Sequence, residues 1–152
     1  RARAREVFDL GVLTAGTCTA VGAALLSRGL EFEYVASDEA LPVRGEPVFV
    51  AEAIKNLIDN AAKHGGPGLR AIHVATERVG DVACVTVSDD GVGLSPDQEE
   101  KAFSRFGQIE PSSGSGLGLA IVASVAESHG GTLQIVDVPR GARLSLSLPL
   151  AE

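Results

Sequence analysis

The chain has 152 residues, 45% hydrophobic and 22% charged, which suits one domain with a sizeable core and excludes wholesale disorder. Its net charge of −7, from 20 acids against 13 bases, argues against a nucleic-acid binder, because phosphate backbones select basic surfaces. The longest apolar run, residues 12–26, is interrupted by Thr14, Gly16, Thr17, Thr19 and Gly22, so neither a membrane span nor a signal peptide is expected.

Met is absent, and the chain reads as a piece excised from a longer one. Cys18 and Cys84 lie far apart, which fits two buried thiols better than a zinc site or a disulfide. His64, His73 and His129 have no metal-ligand spacing.

In chain order, residues 1–5 (Arg-Ala-Arg-Ala-Arg) read as the exposed end of a preceding helix. Residues 6–9 form a short strand candidate. Residues 10–28 form a helix closed by Gly29, despite three glycines and three threonines. Residues 31–35 alternate in the manner of a strand, and 41–44 make a second short one.

A helix then begins at Pro47, where a missing N–H costs nothing, and stops at Gly65-Gly66. Val50, Ala53, Ile54, Leu57, Ile58 and Ala61 recur at spacings of three and four and make its apolar stripe. Glu52, Asn56, Asn60 and Lys63 make a polar row at similar spacing. Two amides stacked a turn apart are mediocre helix formers, so the row is either a solvated edge or a ligand site. In the second case an amide oxygen suits a hard cation such as Mg²⁺, and the ammonium suits a phosphate.

Residues 65–68 are expected to be a flexible break. Strands at 70–77 and 82–88 follow, joined near Gly80-Asp81 as a hairpin. Val85, Val87 and Asp89 share one face at period two, with Thr86 and Ser88 on the other. A carboxylate on an apolar face needs a partner, unless Asp89 swings into solvent where the strand ends. The turn Asp89-Asp90-Gly91-Val92-Gly93 places glycines where the backbone must come close to something.

Ser95 and Pro96 start a short helix reaching about Phe106, with Phe103 and Phe106 as a packing pair. Residues 107–115 have the composition of a mobile loop. Gly114-Ser115-Gly116-Leu117-Gly118 feeds a helix N-terminus, where free N–H groups and the helix dipole suit a phosphate, although alone the signal is weak because glycine-rich loops before helices are common. That helix runs to about Ser128 and is apolar nearly all round (Leu117, Leu119, Ala120, Ile121, Val122, Ala123), so it is expected to be largely buried. Strands at 132–138 and 142–148 close the chain across Pro139-Arg140-Gly141, with Leu144, Leu146 and Leu148 inward and Ser145 and Ser147 outward.

Four of these pieces occur in one order: Asn56 to Asn60, Asp89 to Gly93, Phe103 to Phe106, and Gly114 to Leu119. Together they closely resemble the catalytic, ATP-binding domain of bacterial sensor histidine kinases, over about residues 9–149. The resemblance implies an α/β, two-layer sandwich: a mixed, mostly antiparallel sheet with about three helices on one face, known as the Bergerat fold. Residues 1–5 would end a dimerisation helix, and residues 6–152 would be the kinase domain.

By resemblance, Asn60 ligates the Mg²⁺ that bridges the ATP phosphates, while Asn56 and Lys63 sit beside them as the catalytic pair. Asp89 accepts a hydrogen bond from the adenine amine, and Gly91 and Gly93 let the backbone pass the base. Gly114, Gly116, Leu117 and Gly118 close a lid and present N–H groups, and His64 stands near the nucleotide. The phosphate would go to a histidine on a separate dimerisation domain and then to a response regulator. The domain itself would be cytoplasmic and free of membrane contact, its parent an inner-membrane sensor.

The chain departs from the pattern in two ways. No Arg follows the Phe pair, where Gly107-Gln108-Ile109-Glu110 stands, and Arg105 is the nearest substitute. No phosphoacceptor motif surrounds any of the three histidines. Same-fold ATPases and anti-sigma serine kinases carry a Glu one turn before the Mg²⁺ ligand, to deprotonate the attacking group. Asn56 occupies that position here. A degenerate binding module is a further alternative, against which the intact motifs argue.

Overall fold

Asp9 ends the first strand and starts the first helix, and it does so through both carboxylate oxygens. The Val12 N–H donates to its Oδ1 at 3.1 Å, which caps the helix, and the Leu41 N–H donates to its Oδ2 at 3.2 Å, which ties down an incoming strand. The computed structural model describes residues 5–93, 118–136 and 138–151. The expected helix over 95–106, its Phe103–Phe106 pair, the loop over 107–115, and Gly114, Gly116 and Leu117 lie outside the described residues.

The elements are β1 (Glu6–Asp9), α1 (Leu10–Ser27), β2 (Glu31–Val35), β3 (Pro42–Gly45), α2 (Pro47–His64), β4 (Ala71–Val79), β5 (Val82–Asp89), α3 (Leu119–Ser128), β6 (Thr132–Ile135) and β7 (Ala142–Pro149). Arg5 precedes β1 outside any helix and donates to the Ser128 carbonyl at 2.6 Å. Five strands form one mixed sheet in the order β2-β4-β5-β7-β6. Only β2 and β4 run parallel; the other three pairs are antiparallel. β1 and β3 make a separate antiparallel pair, joined to the end of β7 by the Val43–Leu150 bridge.

The three helices among the described residues cover one face of the sheet. Ile72, Val74, Val85, Val87, Leu144, Leu146 and Leu148 point at them and are buried, so the expected alternation along β5 and β7 holds. The stripe on α2, from Val50 to Ala61, is buried throughout. The opposite sheet face carries small polar side chains, among them Thr86, whose hydroxyl donates to Ser145 Oγ at 3.4 Å. Both thiols are buried, and burial pushes Cys18 up to about 11, which leaves it an inert core residue.

Two expectations need correction. α3 is not buried all round: Leu119, Val122 and Ala126 face the core, while Ile121 is 48% exposed. An apolar composition does not say how many faces a neighbour covers, and here one layer lies on one side only. α1 carries no charge over its 18 residues, and by length and composition alone it is long and apolar enough to cross a membrane. The helix expected over 10–28 is present, and the Thr14 and Thr17 hydroxyls donate to carbonyls one turn back, so they do not break the apolar run as the sequence suggests. Its buried row, Leu10, Thr14, Cys18, Gly22 and Leu25, packs on the core.

His129 acts between helices. The Glu46 N–H, at the start of α2, donates to His129 Nε2 at 3.1 Å, so the proton sits on Nδ1, which faces the Val125 carbonyl at 2.8 Å. The end of α3 is thereby joined to the start of α2.

Replacing Asp9 by Ala removes a helix cap and a strand anchor together. The expected loss is about 1–3 kcal/mol of stability, read from urea unfolding; an unchanged midpoint would show that neither bond contributes.

Candidate functional site

The C-terminal half of α2 carries the polar row. Asn60 is 3% exposed, and its Oδ1 is buried without a hydrogen-bond partner. A buried acceptor with no donor costs on the order of 1–3 kcal/mol. That is expensive in a helix otherwise packed on the core, and it marks an oxygen waiting for a cation or a donor. Asn56, one turn back, is half-buried, and its amide N–H donates to the Glu52 carbonyl at 2.9 Å. This leaves Asn56 Oδ1 facing away from its own helix. Lys63 is exposed and His64 half-buried at the same end.

Asn56 Oδ1 meets the start of α3. Gly118 caps that helix with φ +71, a left-handed conformation that side chains rarely adopt. A Cβ on it would come within 3.0 Å of Asn56 Oδ1. The described end of the glycine-rich loop therefore lies against the first asparagine.

The turn after β5 closes on the same end of α2. The Val92 N–H donates to the Gly65 carbonyl at 2.8 Å. Gly91 crosses Gly65 so closely that any Cβ there would collide with the Gly65 backbone. The expected reason for this glycine was passage of a ligand; the structure supplies a nearer one, passage of α2's own end. Gly93 crosses the last hairpin in the same way, its Cβ position 2.6 Å from the Gly141 carbonyl oxygen. The segment at 65–68, expected to be a flexible break, is therefore pinned at Gly65, which is buried.

Asp89 is half-buried at the exit of β5, on the face of Val85 and Val87. Its Oδ1 accepts from the Gly91 N–H at 2.8 Å. Burial pushes its carboxyl above the usual carboxylate range; the Gly91 and Ala142 N–H groups offset part of this, and neighbouring Asp90 adds to it. A carboxylate has more acceptor positions than these N–H groups fill, so it can still take a ligand donor.

Asp90 is the residue sequence reasoning passed over. Its Oδ1 accepts from two successive backbone groups, Arg70 N–H at 2.9 Å and Ala71 N–H at 3.0 Å. Those bonds hold its carboxyl below the usual range. The signal was present in the doubled acid: a turn Asp commonly accepts backbone N–H groups.

The donor set fits one Mg²⁺ bound chiefly by something else. Asn60 Oδ1 is a hard, uncommitted oxygen, and Mg²⁺ takes few protein ligands beside waters and phosphates. Among the described residues no group of three His, Cys, Asp or Glu side chains could hold a metal. Of the expected site residues, Asn56, Asn60, Lys63, His64, Asp89, Gly91, Gly93 and Gly118 gather at one end of the domain, while Gly114, Gly116 and Leu117 lie outside the described residues.

A family profile described as "Histidine kinase-, DNA gyrase B-, and HSP90-like ATPase" matches residues 45–152. The chain is 36% identical over 127 residues to the sensor histidine kinase CusS of Escherichia coli O157:H7, covering 80% of this chain and 26% of that protein. It is 41% identical over 108 residues to the sensor-type histidine kinase PrrB of Mycobacterium tuberculosis H37Rv, covering 69% of this chain and 24% of PrrB. The chain thus spans about a quarter of the length of these relatives. The crystal structure of the ATP-binding domain of Mycobacterium tuberculosis PrrB superposes with a TM-score of 0.76 at 29% identity, covering 99% of this chain and 100% of that one. Histidine kinase ThkA, solved in complex with the response regulator protein TrrA, shares the fold, with a TM-score of 0.79 at 20% identity over 97% of this chain and 42% of that one.

Proposed function

From the premise that this chain belongs to the histidine kinase-, DNA gyrase B- and HSP90-like ATPase family, as an ATP-binding domain of its histidine-kinase branch, we propose that it binds Mg-ATP and donates the γ-phosphate to a histidine on a separate dimerisation domain. The parent would be a two-component sensor kinase, and the phosphate would pass on to a response regulator. The ThkA–TrrA complex supports that last step by likeness of fold.

The observation that carries the reading is the buried Asn60 Oδ1, which has no hydrogen-bond partner and suits a cation. At the same end of the domain the half-buried Asp89 carboxylate, already accepting from the Gly91 N–H, offers acceptor capacity to a ligand donor. Asp89 would accept from the adenine amino group, and a base lacking that amine would leave the carboxylate unpaired. Asn60 would hold the Mg²⁺, which neutralises phosphate charge when bound. Asn56 and Lys63 would flank the phosphates, Gly118 would present its N–H beside Asn56, and His64 would stand by the nucleotide.

Asn56 also favours the kinase over its ATPase relatives. An amide accepts no proton at neutral pH, so it cannot activate water or a hydroxyl. A neutral imidazole needs no such base, because it already carries a nucleophilic lone pair. Phosphoryl transfer here would rest on positioning and charge neutralisation, with the acceptor brought in line from another domain.

Three outcomes test this. Calorimetry should show binding of Mg-ATP with about micromolar to millimolar affinity and a clear preference over GTP, and Asp89→Asn should abolish the preference. Wild-type ATP affinity should also fall on acidification, beginning above the usual carboxylate range, because the ionised form binds and its pKa is raised. Equal affinity for the two nucleotides would remove the role given to Asp89.

Asn60→Ala should make nucleotide binding nearly insensitive to Mg²⁺. Retention of the wild-type Mg²⁺ dependence would place the ion elsewhere.

The chain alone, given labelled ATP, should yield no phosphoprotein and little free phosphate. Adding the parent's acceptor-helix dimer should restore labelling on a histidine of that dimer. Rapid hydrolysis by the isolated chain would favour the ATPase reading instead, and label on a serine of an added protein would favour the anti-sigma reading.

A further inference from the structure

Asp90 has no part in the scheme above, yet it makes two of the bonds that shape the site. One oxygen, Oδ1, takes both the Arg70 and the Ala71 N–H, reaching back about twenty residues to the start of β4. The same short segment is held from its other side, since the Glu31 N–H donates to the Arg70 carbonyl. The turn in turn grips the end of α2, through Val92 N–H to the Gly65 carbonyl at 2.8 Å and the bare Cα of Gly91. A third segment backs it: Arg140 Nε donates to the Asp90 carbonyl at 3.3 Å, and Gly141 lies too close to the Asp89 carbonyl to bear a side chain.

Asp90 therefore stands where the exit of β5, the α2–β4 connection and the last hairpin converge. Its neighbour Asp89 is held at the carboxylate by backbone N–H groups of this same turn and of β7. A rotation of the chain at Asp90 would move those donors and re-aim Asp89. It would also let α2, and with it Asn60, shift relative to β5. The N–H groups on Asp90 favour its ionised form, with Arg140 adding to the effect, so the clamp is fully formed at neutral pH.

We propose that Asp90 is a positioning residue for base recognition: it touches no nucleotide, but its carboxylate locks residues 70–71 to the turn at 89–93 and so fixes where Asp89 stands relative to α2. This rests on the reading of Asp89 as the adenine acceptor. A purely structural Asp90 would change how much of the chain is folded. A positioning Asp90 changes what the folded fraction prefers.

The test is calorimetric titration of the full chain with Mg-ATP and Mg-GTP, at a temperature where circular dichroism shows each variant folded. Asp90→Asn keeps an Oδ1 that can accept both N–H groups, and its ATP-to-GTP affinity ratio should stay within about threefold of wild type. Asp90→Ala should lower the ratio by about tenfold or more while the folded fraction still binds phosphate-bearing ligand. Asp90→Glu keeps the charge but moves the oxygen by one methylene, and it should lower the ratio too; it serves where the alanine variant does not fold. A folded Ala or Glu variant with the wild-type ratio overturns the inference and leaves the Asp89 reading intact. A wild-type chain that fails to distinguish ATP from GTP overturns both.

Discussion

The Val92 N–H reaches the Gly65 carbonyl across a crossing too tight for a side chain on Gly91, and around that crossing the rest of the site is arranged. It joins the last residues of α2 to the first residues after β5. Without it, a helix packed on a sheet could slide or tilt by an ångström at modest cost, since apolar contacts have little directional preference. With it, Asn60 on the helix and Asp89 on the strand belong to one rigid frame. Asp90 adds the second tie, from the turn to the head of β4. The fold thus fixes two polar groups at a set spacing through one backbone bond and one side-chain tie that involve neither of them.

Those two groups are held at a cost to the empty domain. Asn60 Oδ1 is desolvated and unpaired, and the ionised Asp89 is disfavoured by its burial. A protein selected for stability alone would carry leucine or a paired amide in such places. The surrounding packing makes the cost tolerable: α2 buries Val50, Ala53, Ile54, Leu57, Ile58 and Ala61 against the sheet, and His129 ties the start of that helix to α3. Under the proposed function, the groups that cost the free chain stability are those a nucleotide and its cation would satisfy.

Asn56 shows how a small chemical difference separates branches of one fold. Its N–H side is spent on the Glu52 carbonyl and its oxygen lies beside Gly118. It therefore lies against the start of α3, and as an amide it cannot take a proton. Under the proposed transfer to an imidazole that restraint would be useful, since a base at this position would also activate water.

Periodicity and turn chemistry made most of the architecture legible beforehand. The apolar stripe of α2, the alternation along β5 and β7, the Pro47 start and the glycine stops are local patterns, and each strand and helix boundary they imply lies within a few residues of the observed one. The order of motifs singled out Asn56, Asn60, Asp89 and Gly118, and the structure brings these four positions to one end of the domain. Tertiary structure alone decided how many faces of α3 are covered, that α1's threonines bond within their own helix, and that the stretch at Gly65 is pinned rather than loose. It also decided that Asp90 reaches Arg70 and Ala71. These depend on which distant segment lies alongside, and a single sequence records what each residue can offer but not which neighbour will be there to accept it.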